Sequence, residues 1–162
     1  MKSYQQLSFN VNEGSQTGKY IPKIQISMVK EIYISKESFK NSAEIAQSEI
    51  VEKELRHADR EKFICLHLNV KNNIISYEVV SIGNLSSSLV HPREVFKGAI
   101  LANAASVIFM HNHPSGDPQP SSEDKSVTGL LVKAGDILNI RVLDHIIIAG
   151  KTYLSFIEQG LI

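Results

Sequence analysis

Two histidines and one acidic residue are spaced in a way that suits a metal ion. His111 and His113 are separated by one residue, and Ser121-x-x-Asp124 follows after seven more. Side chains two positions apart on an extended segment point the same way, so both imidazoles can reach one point from the end of a strand. Two imidazoles and a carboxylate leave one tetrahedral position open for water, as in catalytic zinc sites. We therefore predict that His111, His113 and Asp124 bind Zn²⁺.

Each part of this pattern also has a simpler interpretation. Ser121-x-x-Asp124 matches a capping box, in which both side chains satisfy free backbone donors at a helix start, and such a pair alone indicates capping more often than chemistry. Two histidines alone can hydrogen-bond in a surface loop. The conjunction of a strand, the paired histidines, a stiff loop and a Ser/Asp helix start favours the metal site. The chain's single cysteine, Cys65, lies in an apolar run and is expected to be buried, which excludes zinc sites built on several thiolates.

The elements next to these residues are predicted from hydrophobic periodicity. A strand over residues 105–110 leads directly to His111, and the proline-rich loop 114–120 follows His113. A helix is predicted to begin near Ser121, and another opens at His91-Pro92, because proline is tolerated in a first helical turn. The residues expected to face inward from these two helices are Val127, Leu130, Leu131, Ala134 and Leu138, and Val95, Phe96, Ala99, Ile100 and Ala102.

The remaining pattern completes an α/β fold, with a mixed β-sheet flanked by helices in layers. An apolar stripe predicts a helix over about residues 42–58, and a hairpin is expected to join residues 61–70 and 74–82 through a turn containing Asn72. The expected strands also include an edge strand within 21–34, one after Gly83-Asn84, and a closing pair over 140–148 and 153–156. Residues 1–20 are predicted to be a flexible tail, and 21–162 a single domain.

Composition limits the functional classes. The chain has 162 residues, 17 basic and 17 acidic, with a formal net charge of zero. A nucleic-acid domain usually carries a basic excess, so DNA is a possible partner that the charge does not support. No apolar run approaches the ~18 residues that span a bilayer, and the N-terminus does not match a secretion signal. A cytoplasmic location without membrane association is expected.

The stretch His-Asn-His-Pro-Ser-Gly-Asp-Pro-Gln-Pro-Ser-Ser-Glu-Asp resembles the signature of the JAMM (JAB/MPN) metalloprotease superfamily, and more closely its bacterial RadC branch. Residues 92–97, 143–148 and 153–156 are also similar to RadC, and the resemblance covers roughly residues 38–162. It implies a JAB/MPN-like, cytidine-deaminase-like architecture. It also implies a zinc-dependent hydrolase of peptide or isopeptide bonds, with His111, His113 and Asp124 on the metal and a protein or peptide substrate of unknown identity.

The resemblance also implies two catalytic residues. Ser121 would assist at the tetrahedral intermediate, and Glu61, just before a predicted strand, would be the general base that takes a proton from water. Glu78 and Glu94 are alternative bases. His145, beside Asp144 in an apolar strand, is expected to be a hydrogen-bonded core or near-site residue.

Two departures from the family pattern bear on function. Peptidase members usually have Ser or Thr between the two histidines, whereas this chain has Asn112, as the RadC branch does. Full-length RadC relatives carry an N-terminal helix-hairpin-helix region, whose Gly-rich pattern is not found before Glu61. Two further hypotheses therefore stand beside the hydrolase, namely a DNA-repair or nucleic-acid processing factor, and a metal-stabilised partner-binding domain without turnover.

Overall fold

The chain alternates helices and strands in the computed structural model, which describes residues 39–83 and 90–162. The predicted tail over 1–20, the edge strand within 21–34 and the strand after Gly83-Asn84 lie outside the described residues. The elements in chain order are α1 (Ser42–Ala46), α2 (Glu49–Glu54), β1 (Lys62–Leu68), β2 (Ile74–Ile82), α3 (Pro92–Leu101), β3 (Ser106–Asn112), α4 (Ser122–Leu138), β4 (Arg141–Ala149) and β5 (Thr152–Ser155).

The five strands form one mixed sheet in the order β2-β1-β3-β4-β5. Strand β1 pairs antiparallel with β2 and β3, β4 pairs antiparallel with β5, and only β3 and β4 are parallel. Helix α4 connects that parallel pair, as a crossover connection requires. The predicted hairpin is confirmed, with Asn72 in the left-handed conformation at its turn (φ 57°). The α/β class with a mixed sheet is confirmed.

The sheet buries a different hydrophobic cluster on each face. Side chains of β1 and β3 alternate between the faces because successive residues of a strand point to opposite sides. One cluster joins these strands to α1 and α2, with Ile64, Leu66 and Met110 among its members. The other joins them to α3 and α4, with Phe63 and Phe109. His111 is two residues after Phe109 on the same strand, so its side chain also points to the face covered by α3 and α4.

The single helix predicted over 42–58 is wrong, because the chain forms two short helices there. Ser48 interrupts it with an extended backbone (φ −69°, ψ 160°), and its hydroxyl accepts a hydrogen bond from Val51 N, which starts α2. Serine favours such N-cap positions because its oxygen replaces a missing intrahelical acceptor. The apolar stripe itself is buried, with Ala46, Ile50 and Leu55 in the core.

Helices α3 and α4 begin as predicted, with His91 and Ser121 as their N-cap residues. Three of the residues predicted to face inward are instead exposed, namely Ile100 at 53%, Leu130 at 47% and Leu138 at 42%. The sheet covers only the stripe of each helix that holds residues such as Val95 and Leu131, so apolar residues at the margin of that stripe remain in solvent. No helix of the described residues is long and apolar enough to cross a membrane.

Candidate metal centre

The two histidines of the motif lie at the end of the central strand β3. His111 is fully buried inside the strand, which ends at Asn112, two residues beyond the predicted end at Met110, and His113 follows immediately after the strand. Pairing continues beyond the strand, because His113 N donates to Ile148 O at 2.8 Å. This extended backbone directs both imidazoles to the same side of the sheet edge.

The donor atoms of three residues converge at that edge. His111 Nε2 lies 2.9 Å from His113 Nε2. Asp124 Oδ1 lies 3.3 Å from His111 Nε2, and Asp124 Oδ2 lies 3.5 Å from His113 Nε2. Donor atoms at the corners of a tetrahedron around zinc, with bonds of about 2.0–2.1 Å, are about 3.3 Å apart. His111, His113 and Asp124 therefore form a group that could hold a metal ion, and it is the only such group among the described residues.

The capping interpretation of Ser121 and Asp124 is confirmed. Ser121 Oγ accepts from Asp124 N, while Asp124 Oδ2 accepts from Ser121 N and Ser121 Oγ at 2.8 and 2.7 Å. The capping box thus fixes the carboxylate while Oδ1 faces His111. Ser121 is exposed at the site, but its hydroxyl is directed to Asp124, so donation to a substrate oxygen requires that hydroxyl to rotate.

Each histidine uses its second ring nitrogen to fix its orientation. His113 Nδ1 donates to the backbone oxygen of Asp117 at 2.7 Å, within the loop that follows the motif. His111 Nδ1 lies 2.8 Å from His145 Nε2. Hydrogen bonds of this kind are typical of metal-binding histidines, because they leave the other nitrogen free as a ligand.

His145 and Thr128 complete the interior of the site. His145 Nδ1 lies 2.6 Å from Thr128 Oγ1, which in turn donates to the backbone oxygen of Asp124 at 2.6 Å. The sequence predicts His145 as a hydrogen-bonded core or near-site residue, whereas Thr128 is not among the predicted site residues. A signal could have been found in the helical spacing, since Thr128 lies one turn after Asp124 on the same face of α4.

Burial and the Asp124 carboxylate set the protonation of the three residues. Burial lowers the pKa of His111, although the hydrogen bond and charge of Asp124 partly oppose it. The hydrogen bond to Asp124 raises the pKa of His113 despite partial burial. Burial alone would raise the pKa of Asp124, but the adjacent imidazoles of His111 and His113 hold it below its usual range. The carboxylate is therefore ionised, as a metal ligand must be.

Glu61 lies beside this group, directly before β1. Phe63, two residues later, stacks on His111 with ring centroids 6.4 Å apart. The negative charge of Glu61 contributes to raising the pKa of both His111 and His113, although burial and Asp124 are the larger causes. The Glu61 carboxylate is thus part of the electrostatic surroundings of both imidazoles.

Asn112 holds the backbone on both sides of Glu61. Its Oδ1 accepts from Lys62 N at 2.8 Å, and its Nδ2 donates to Arg60 O at 3.0 Å. Asn112 is 3% exposed and points to the face opposite the histidines. A serine or threonine hydroxyl is too short to make both contacts, so the asparagine supplies a clamp that the sequence did not reveal.

The two alternative bases lie away from the metal-binding group. Glu94 is exposed in the first turn of α3 and pairs with Arg93 and Lys97. Glu78 is on β2 opposite Cys65, two residue positions along the sheet from the row that contains His111. Of the three acidic residues considered, the structure brings only Glu61 to the site.

A polar groove of about 470 Å³ adjoins His113. Residues 55–59, which follow α2, form one wall, and the loop containing Pro114 and Gly116 forms another. Arg56 crosses beneath it and donates to the backbone oxygens of Gly150 and Ala46. The groove gives solvent and extended ligands access to the exposed edge of His113.

Residues 39–161 match the family model described as the RadC-like JAB domain. The chain belongs to the RadC-like JAB domain family. It is 46% identical over 141 residues to a UPF0758 protein of Methanosarcina mazei, covering 87% of this chain and 55% of that protein. A UPF0758 protein of Bacillus cereus is 48% identical over 133 residues, covering 82% and 58%. One from Methanosarcina acetivorans is 56% identical over 108 residues, covering 67% and 47%.

The chain spans about half the length of the curated relatives it matches. The match therefore concerns the JAB domain, which contains every residue of the metal-binding group. The resemblance to RadC noted in the sequence is confirmed.

Proposed function

We propose that this RadC-like JAB domain is a zinc-dependent hydrolase that cleaves a peptide or isopeptide bond. The observation that carries the proposal is the convergence of His111 Nε2, His113 Nε2 and Asp124 Oδ1 within one group whose ligand atoms lie within 4.8 Å of one another. Two nitrogens and one carboxylate oxygen suit zinc and leave a position for water. The metal's identity, the hydrolytic activity and the substrate class are all parts of this proposal.

The chemistry that zinc supplies in such a site is Lewis acidity, which makes water acidic near pH 7 and polarises a carbonyl. His111, His113 and Asp124 would hold the ion. In this proposal Glu61, whose negative charge acts on both imidazoles, is the general base that accepts the proton of the attacking water and passes it to the leaving amine. Ser121 donates a hydrogen bond to the developing oxyanion after its hydroxyl turns away from Asp124.

The groove beside His113 favours an extended substrate. Its lining combines polar residues such as Arg56 and Asn112 with apolar ones such as Leu55, so a peptide segment can lie within it while a substrate carbonyl approaches the metal-binding group. The nucleic-acid hypothesis gains no support from a formal net charge of zero. A partner-binding domain without turnover is the remaining alternative.

A cleavage assay with matched variants tests the proposal. The zinc-loaded chain is incubated with a library of fluorogenic peptides and isopeptides, and in parallel with single- and double-stranded DNA. We expect metal-dependent cleavage of an amide substrate. Glu61→Gln should retain zinc and lose about 10²-fold or more in rate, since a general base contributes roughly that much. Glu94→Gln, an exposed change on α3, is the control and should keep the rate.

Each other result has a definite meaning. A wild-type rate in Glu61→Gln would show that another group is the base. Cleavage of DNA and not of amides would contradict the substrate class. A zinc-bound chain that cleaves neither would contradict the enzyme and favour the partner-binding alternative.

A further inference from the structure

His145 and Thr128 form a buried hydrogen-bonded chain that starts at a backbone carbonyl and ends at a metal-binding nitrogen. The contacts run from Asp124 O to Thr128 Oγ1, from Thr128 Oγ1 to His145 Nδ1, and from His145 Nε2 to His111 Nδ1, at 2.6, 2.6 and 2.8 Å. Thr128, His111 and His145 are each no more than 1% exposed. Water therefore cannot replace any of these contacts.

The Asp124 carbonyl determines which group donates and which accepts in each of these three hydrogen bonds. A carbonyl oxygen only accepts, so the single proton of the Thr128 hydroxyl is donated to Asp124 O. Thr128 Oγ1 must then accept from His145 Nδ1, which places the proton of the His145 ring on that nitrogen. A neutral ring carries one N–H, so His145 Nε2 is an acceptor and takes the proton of His111 Nδ1.

The same reasoning leaves His111 Nε2 without a proton. His111 Nδ1 carries the N–H of a neutral ring, and the lone pair of Nε2 points toward His113 and Asp124. The aromatic surroundings favour the neutral form of His145, which packs among Phe63, Phe109 and Phe156 with ring centroids 5.5, 6.1 and 4.8 Å away. Full burial likewise favours the neutral form of His111.

We propose that Thr128 and His145 are positioning residues that lock His111 in the tautomer that binds metal through Nε2. They act through His111 and do not contact the ion or the substrate. The inference rests on the proposed metal site. It goes further by assigning the selection of the His111 tautomer to Thr128, one turn along α4 from Asp124. Helix α4 then supplies one proposed ligand, Asp124, and also the residue that sets the tautomer of a second ligand, His111.

Measuring zinc affinity distinguishes the positioning of His111 by Thr128 and His145 from a general effect on protein stability. Zinc is the only probe, and its affinity is measured by competition with a chromophoric chelator. Thr128→Val keeps the shape and removes the hydroxyl, and we expect it to weaken zinc binding by about tenfold or more, the usual effect of losing such a partner. His145→Phe should do the same. Thr128→Ser keeps the hydroxyl and should stay within about threefold of wild type.

A control variant on the opposite face of the sheet calibrates the stability effect. Ser42 Oγ donates to buried Asp144 Oδ2 at 2.6 Å, so Ser42→Ala loses a comparable buried hydrogen bond on the face of the sheet that does not carry the metal-binding group. It should lower the melting temperature and leave zinc affinity unchanged. Thr128→Val with wild-type affinity, or an equal loss of affinity in Ser42→Ala, would overturn the positioning role.

The unmodified protein provides a second test that does not depend on whether the variants fold. Nitrogen-15 NMR of the histidine rings reports which nitrogen carries the proton. We expect His145 to be protonated at Nδ1 and bare at Nε2. A proton on Nε2 of neutral His145 would contradict the proposal. Absence of any zinc binding by the wild-type chain would instead refute the metal site itself, so the two failures are distinguishable.

Discussion

Asp124 illustrates how one residue can satisfy two interpretations that compete in the sequence. Its spacing from Ser121 predicts a helix cap, and its distance from the paired histidines predicts a metal ligand. The carboxylate caps the helix with Oδ2 and faces His111 with Oδ1. Spacing alone could not decide between the two, because a carboxylate has two oxygens that can serve separate neighbours.

The histidines also show where prediction from sequence ends. His111 and His113 were found because their separation of two residues has a geometric meaning on a strand. His145 is separated from His111 by 34 positions in the sequence, and Phe109, not His111, is its register partner on β3. Its contact with His111 depends on the pairing of β3 with β4, which no local pattern specifies.

His67 is a buried titrating group on β1, away from the metal-binding residues. It is 3% exposed, Nδ1 contacts Ser76 Oγ at 2.8 Å, and Nε2 has no hydrogen-bond partner within residues 39–83 and 90–162. Burial lowers the pKa of His67 to about 4. An unfolded histidine titrates near 6.5, so below that pH the unfolded chain binds a proton that the folded chain excludes.

Acidification should therefore destabilise the protein through His67 between about pH 6.5 and pH 4. We expect the fall in unfolding free energy from pH 7.5 to pH 5, measured with urea in the presence of chelator, to be about 2 kcal/mol smaller in His67→Gln than in wild type. The pKa values of His111 and His145 are also lowered, but they contribute equally to both proteins. Identical pH dependence in the two proteins would mean that His67 is protonated as easily in the folded chain.

At the scale of elements, α4 carries both Asp124, the proposed ligand, and Thr128, the proposed positioning residue, so the packing of this helix on the sheet determines the geometry of the site. Two glycines in this helix have different surroundings. A Cβ on Gly135 would lie 2.5 Å from the backbone oxygen of Ile140 and 3.3 Å from Phe96 Cζ, whereas a Cβ on Gly129 would meet nothing within 4 Å. Of these two positions, only 135 therefore requires glycine, because only there does the helix lie too close to Ile140 and Phe96 for a Cβ atom.

The two glycine-to-alanine changes should have opposite effects on stability. Gly129→Ala should stabilise the protein by about 1 kcal/mol, because alanine is the better helix former. Gly135→Ala should destabilise it by about 1–3 kcal/mol, because the backbone of Ile140 must move. Urea denaturation measures both changes in one helix. Equal shifts of the same sign would show that α4 does not approach β4 as closely as described.

The elements were largely predictable, and the exceptions have physical reasons. Long stripes and turn residues predicted α3, α4 and the hairpin, because periodicity reflects which face is buried. The break at Ser48 was missed, because the apolar period continues through it while the serine caps a new helix. The clamp of Asn112 on Arg60 and Lys62 was also missed, since it joins residues about 50 positions apart that meet only when β1 pairs with β3.

At the scale of the whole molecule, the sheet holds the two sides of the site in register. Strand β3 lies between β1, which follows Glu61, and β4, which carries His145. On the face opposite the histidines, buried Asp144 accepts from Ser42 Oγ, Ser155 Oγ, His145 N and Ile157 N. This carboxylate joins α1, β4, β5 and the segment after β5, so the ends of the described fold meet directly behind the metal-binding group.

Metal content per chain tests the central claim most directly. The wild-type protein, stripped with chelator, loaded with zinc and desalted, should retain about one zinc per chain by elemental analysis. The double variant His111→Ala/His113→Ala should retain essentially none. The double variant His57→Ala/His91→Ala, which removes two exposed histidines, should retain as much as wild type. Full zinc retention by His111→Ala/His113→Ala would contradict the assignment of the site.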